Sequence, residues 1–199
     1  MEIIEKAKGF LSEPTRAFET YKEEPLEEAV KYYLFIAAVY SLLLAIITGI
    51  IYSVIYSVVN PLIGKYQYPM KVPNGFIETF GDFFMTFIMM LICVFIWGVI
   101  LHVFAYILGG RWEIARSIKV AMYSSTPLIL LGWIPGLNIF GWIWAGALNV
   151  VGLHQYQDLP EGKAIAAVLT PVILLLILLI VILIIIVSLI IPMAITGFR

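Results

Sequence analysis

The residues able to do nucleophilic or metal chemistry are few: two histidines, one cysteine and scattered serines among 199 residues. His102 and His154 stand alone, without an H-E-x-x-H pattern or a second histidine one helical turn away, so a zinc ion would lack ligands. Cys93 sits in the apolar run Met89 to Val94, which provides neither a disulfide framework nor a thiolate cluster. Ser124 and Ser125 have no G-x-S-x-G turn around them and no evident base. Glu23-Glu24 and Glu27-Glu28 have the look of paired carboxylates for acid and base work, but acidic residues at a helix start are explained by the helix dipole. There is no phosphate-binding G-x-x-x-x-G-K-[ST]. The net charge of -1 gives no basic stripe for nucleic acid. The expectation is a protein that is no enzyme and holds no metal or cofactor.

A second set of polar residues is neutral and embedded in apolar sequence: His102, Tyr123, Ser124, Thr126, Asn149 and Thr170. What positions them follows from the composition, 62% hydrophobic and only 13% charged, against about 25% charged in ordinary soluble domains. Residues 32–64, 83–110 and 164–198 contain no Asp, Glu, Lys or Arg. Each run exceeds the roughly 20 apolar residues that a helix needs to cross a bilayer. The fold class is therefore all-α, a polytopic membrane protein, with five transmembrane helices expected at about residues 30–58, 83–108, 117–131, 140–156 and 164–193. Asn60-Pro61 is expected to end the first span, since proline removes a donor and clashes with the preceding turn. An outward loop from Asn60 to Asp82 follows. Gly109-Gly110 ends the second span, and the uncharged turn Gly132 to Asn138 joins the third to the fourth. Trp133, Trp142 and Trp144 read as interface anchors.

Lys and Arg set the orientation. Lys6, Lys8, Arg16, Lys22, Lys31, Arg111, Arg116, Lys119 and Lys163 fall on one side and Lys65, Lys71 and Arg199 on the other, nine against three. This places the N terminus inside and the C terminus outside, in the cell membrane. The acidic start of the chain does not read as a cleaved signal peptide, and no lipidation motif is visible.

Residues 1–29 are too few to fold as a soluble domain, yet they are patterned as helix. Ile3, Ile4, Ala7, Phe10 and Leu11 share one face against Glu2, Glu5, Lys6 and Lys8. Pro14 opens a second stretch with Ala17, Phe18 and Tyr21 on one side. These amphipathic helices either lie at the inner membrane face and grip a lipid or partner, or pack on the bundle. Phe10, Phe18, Arg111, Arg116 and Lys119 are the expected contacts with an inner-face partner or lipid.

The embedded polar residues also read two ways. They are interhelical hydrogen bonds, with hydroxyls serving carbonyls freed by Pro127 and Pro171, or they line a polar cavity in the inner half of the bilayer, as in a transporter, channel or lipid-handling component. Gly141, Ala145 and Asn149 recur at four-residue spacing, a small-residue face that suits packing within the chain or a homo-oligomer.

Glu13-Pro-Thr-Arg-Ala-Phe18, then Gly109-Gly110 with a basic stretch, then Tyr123-Ser-Ser-Thr-Pro127 with Trp133-Ile-Pro135, resemble the prokaryotic branch of the Yip family, the Ypt/Rab-interacting membrane proteins. The resemblance covers about residues 10–195, and the block from Gly110 to Pro135 is its most specific part. It implies a five-helix scaffold or adaptor, tied in eukaryotes to vesicle traffic and membrane shape. The long N-terminal cytosolic extension of eukaryotic members has no counterpart here, so their binding of prenylated Rab GTPases is not carried over.

Overall fold

The computed structural model describes residues 2–63, 75–134 and 136–196. Among them are eight helices: α1 (Glu2–Ser12), α2 (Pro14–Thr20), α3 (Leu26–Ile63), α4 (Gly75–Ile107), α5 (Ile114–Ser124), α6 (Thr126–Leu131), α7 (Asn138–Tyr156) and α8 (Glu161–Thr196). Three stretches, Leu26–Val59, Ile77–Ile107 and Glu161–Ser188, are long and apolar enough to cross a membrane.

Two boundaries depart from the sequence reading. α3 continues through Asn60-Pro61 to Ile63; Pro61 removes only the donor that would serve the Ser57 carbonyl, and the helix closes two residues later. α4 begins at Gly75, ahead of the charge-free run, and takes in Glu78 and Asp82. A carboxylate in a first turn faces the positive end of the helix dipole, so Glu78 favours the early start. Residues 64–74, which hold Lys65, Tyr66, Tyr68 and Lys71 of the expected outward loop, lie outside the described residues, as does Arg199.

The third expected span is two helices rather than one. Pro127 has no N–H for the Tyr123 carbonyl, and Thr126 Oγ1 donates to that carbonyl instead, at 2.7 Å. Ser125 Oγ donates to the Ala121 carbonyl at 2.7 Å. Ser125 keeps helical angles, φ -72° and ψ -14°, so the interruption is local and α6 carries on from α5. The sequence reading of hydroxyls serving a proline-freed carbonyl holds at Pro127; α8 passes through Pro171 with Thr170 exposed.

α5 forms the centre of the core. Val120, Met122 and Tyr123 have no exposed surface, and Leu101 and Ala105 of α4 and Leu153 and Tyr156 of α7 are equally buried around them. The small-residue face of α7 is used within the chain. A Cβ on Gly141 would come within 3.1 Å of Leu128 Cα and the Pro127 carbonyl, and Ala145 is buried beside it. α8 packs through Ala164, Ala167 and Val168; from Val172 to Ser188 every side chain is exposed, an apolar surface suited to lipid tails.

Candidate functional site

The segments that the sequence puts on one side of the membrane meet at one end of the bundle. Lys22 Nζ reaches Asp158 at 3.4 Å, Arg116 Nη2 reaches Glu23 at 3.4 Å, and Gln155 Nε2 donates to the Thr15 carbonyl at 3.0 Å. The start of α5, the end of α7 and the turn after it are thereby gathered under a strap made of α1, α2 and the link 21–25.

The strap is fastened by aromatic rings. Phe10 and Phe18 have no exposed surface. Phe10 stacks on Tyr123, with centroids 4.7 Å apart and planes 19° apart. Phe18 meets Phe10 edge-on at 5.0 Å and Tyr156 at 5.5 Å. Gly152 makes room for it, since a Cβ there would stand 2.9 Å from the Phe18 ring and 2.7 Å from Val120. Such rings together contribute about 0.5–1.5 kcal/mol per pair beyond the area they bury.

Charge sits beneath the rings. Lys6 Nζ donates to both carboxylate oxygens of Glu24, each at 2.7 Å, and Tyr123 Oη donates to Glu24 Oε2 at 2.5 Å. Lys119 is only 5% exposed, and its Nζ donates to the main-chain carbonyls of Lys22 and Glu24, each at 2.7 Å. It thus pins the link of the strap from below. Tyr32 Oη and Thr126 Oγ1 are 2.8 Å apart; the Thr126 proton is committed to the Tyr123 carbonyl, so Tyr32 is the donor.

At the rim, Asp158 has φ 50°, the left-handed conformation that Asp and Asn tolerate better than other non-glycine residues. The Trp112 indole N–H donates to its carboxylate. That hydrogen bond first, and Lys22 after it, hold the Asp158 carboxyl below the ordinary carboxylate range. The Arg116 guanidinium lies over the Trp112 ring, 4.0 Å from its centroid.

The expected polar set is therefore divided. Tyr123 and Thr126 belong to the strap site. Ser124 is buried on the same helix, its hydroxyl without a partner. His102 Nδ1 lies 3.4 Å from Ser117 Oγ, which accepts from Gln157 Nε2 at 2.9 Å. A serine beside a histidine suggests a nucleophile and base, but Ser117 has no exposed surface and so no approach for a substrate. Asn149 donates to the Ala145 carbonyl at 2.8 Å and accepts from Trp97 Nε1 at 3.4 Å. Thr170 is exposed on α8. Of the expected inner-face contacts, Phe10, Phe18 and Lys119 are turned inward and consumed by the chain itself, because the face of α1 and α2 that carries the rings has an aromatic box to fill. Arg116 is mostly covered, and Arg111 is exposed. Among the described residues no group of three or more His, Cys, Asp or Glu is placed to hold a metal ion.

Sequence reasoning missed Tyr32 and Gln157, put Lys6 on the polar face opposite Phe10 where the structure buries it, and read Glu24 as a solvated helix start. The one signal for Lys6 is its place one helical turn before Phe10, which puts both on the same side of α1.

Helices of this length and apolarity, gathered over a buried polar end, define an integral membrane protein. A family model, the Yip1 domain, matches residues 8–184, and the chain belongs to that family. The match runs from within α1 to within α8, so it takes in the end of α1, α2 and the link, while Lys6 precedes it. No curated protein matches the chain, and no solved structure does.

Proposed function

We propose that the chain is a non-enzymatic scaffold or adaptor of the prokaryotic kind in its family. In this reading it crosses the cell membrane five times, with its N terminus inside and its C terminus outside, and it organises the membrane or recruits a partner protein at its cytoplasmic face. α5 and α6 with Ser125 cover 18 residues and α7 covers 19. At 1.5 Å per residue these are roughly 27 and 29 Å long, near the roughly 30 Å of a bilayer core. That length favours counting both as crossings.

The observation that carries the reading is the concentration of charge and buried polar contact at the strap end, with Lys119 anchoring the link. The strap leaves Glu5, Lys8, Glu13, Arg16, Glu19 and Glu23 exposed as the surface a partner would meet. The transporter or channel alternative loses its main support, since His102, Asn149 and Thr170 occupy three separate surroundings.

The test is crosslinking in native membranes followed by purification, comparing the full chain with a deletion of residues 1–22. Proteins recovered with the full chain and lost with the deletion are expected. Equal recovery from both, or solute flux in liposomes containing only the purified chain, refutes the proposal.

A further inference from the structure

The Lys6 ammonium occupies a built site. It lies 4.3 Å from the centroid of the Tyr21 ring and 5.6 Å from those of Tyr32 and Tyr123, with both Glu24 oxygens 2.7 Å away. Lys6 is 4% exposed. Aromatic faces around a cation, with a carboxylate at the base, make a cage of the type that recognises organic ammonium ions. Rings alone would accept a quaternary ammonium equally well. Both Glu24 oxygens accept hydrogen bonds from Lys6, which a primary ammonium on an alkyl stem can donate and a quaternary one cannot, so this cage favours the primary ammonium.

The occupant and the walls come from different parts of the chain. Tyr32 stands on α3, Tyr123 on α5, and Tyr21 and Glu24 on the link that Lys119 pins. Lys6 alone arrives on α1. Were α1 to lift, the cage would remain, and its carboxylate is already 17% exposed. Cationic and hydroxyl donors lie close by: Lys119 Nζ donates to the carbonyl of Glu24 itself and sits 5.2 Å from the Tyr156 ring. Arg116 Nη1 and Tyr156 Oη are buried without partners. A buried donor left unpaired is unfavourable, so these atoms favour an acceptor that the described residues do not supply. An ammonium site beside unsatisfied donors complements a zwitterion whose phosphate lies two carbons from its ammonium.

We propose that this cage is a binding site for the ethanolamine headgroup of an inner-leaflet aminophospholipid, which displaces Lys6 as α1 lifts and sets its phosphate against Lys119 and Arg116. A choline headgroup has no N–H for Glu24 and is rejected. The displaced α1 then carries Phe10 out of its stack on Tyr123, so lipid composition controls the position of the strap. This holds whether or not a protein partner is recruited there.

Two measurements on the purified full-length protein test it. In detergent, Lys6→Ala lowers the unfolding temperature, and ethylammonium restores it in a saturable way that tetramethylammonium at equal ionic strength does not match; the wild type, its cage filled, responds to neither. In nanodiscs, phosphatidylethanolamine mixed into phosphatidylcholine of the same acyl chains raises the unfolding temperature of Lys6→Ala above its value in pure phosphatidylcholine. Should Lys6→Ala fail to fold, the wild type carries the test: spin labels at Ile4→Cys and Glu161→Cys, with Cys93→Ala, report a longer distance population in the mixed lipid. Equal action of the two ammonium ions overturns the cage. Rescue by ethylammonium with no difference between lipids assigns it to a lysine side chain and overturns the lipid proposal, and so does an unchanged distance distribution.

Discussion

The ring of Phe10 lies nearly parallel to that of Tyr123, their centroids 4.7 Å apart, and the hydroxyl of the same tyrosine donates to Glu24. One residue of α5 thus holds the strap twice, by stacking on α1 and by hydrogen bonding to the link. Neither hold is exposed, since Phe10 and Tyr123 have no accessible surface. The strap is consequently a layer of the fold and not a tail resting on it.

Phe10→Ala is expected to cost about 3–5 kcal/mol of strap docking, the range for removing a buried Phe side chain. Hydrogen exchange should show α1 amides losing protection while those of α4 and α5 keep theirs. Uniform loss across all three helices, or no loss in α1, would contradict a separately docked strap.

Glu24→Ala leaves the Lys6 ammonium and the Tyr123 hydroxyl buried without their acceptor, and breaking such a pair costs about 3–5 kcal/mol. Lys6→Met alone strands the carboxylate. A double-mutant cycle of Lys6→Met and Glu24→Gln, read by unfolding midpoints, should therefore return a coupling above 1 kcal/mol, within the range of about 0.5–3 kcal/mol for residues in direct contact. Additive effects would mean that the pair does not form in the membrane.

Gly152 and Gly146 lie on the same helix and predict opposite outcomes. A Cβ on Gly152 would meet Val120 at 2.7 Å and Phe18 at 2.9 Å, whereas one on Gly146 meets nothing within 4 Å. Gly152→Ala should destabilise by about 1–3 kcal/mol through overpacking and loosen α2. Gly146→Ala should be neutral or gain up to about 1 kcal/mol of helix propensity. Thermal unfolding of the two variants side by side decides this.

The depressed Asp158 carboxyl gives a pH dependence of definite sign. A carboxylate whose pKa is lower folded than unfolded adds stability above its unfolded pKa, and that stability is lost as pH falls through the folded value. The contribution is small because the group is exposed. Asp158→Asn keeps the backbone conformation but removes the charge, so its stability deficit should be present at neutral pH and vanish in acid below the carboxylate range. A deficit independent of pH would show that the charge is not what holds Trp112 and Lys22.

Single cysteines at Ser12 and at Arg199, in a Cys93→Ala background, should react on opposite sides of sealed membranes with an impermeant maleimide, Ser12 only after lysis. Labelling of both from the same side would exclude an odd number of crossings.

Much of the architecture is legible in the residue string because the bilayer imposes a length and a polarity that apolar runs must meet locally. Residues 32–64, 83–110 and 164–198, free of charge, fall within or overlap α3, α4 and α8, and the amphipathic spacing of Ile3 to Leu11 and of Ala17 to Tyr21 marks α1 and α2. Pro127 marks the break between α5 and α6, and the hydroxyl that would answer it is next in line, at Thr126. The family resemblance, carried by short motifs from Glu13 to Pro135, is matched by the Yip1 domain over residues 8–184.

Sequence alone marked helices and the apolar stretches long enough to cross a membrane, properties of segments a few turns long. Tertiary structure alone decided which of those residues are spent against one another. Lys6 and Glu24 are 18 residues apart and Glu24 and Tyr123 are 99 apart, and no local periodicity records such pairings. Two ions in the N-terminal segment read as solvated groups, and a phenol ninety-nine residues on reads as a polar residue embedded in a span; they become a cage only because α1 and α2 fold back over α5, where burying Phe10 and Phe18 carries the charges beneath the rings with them.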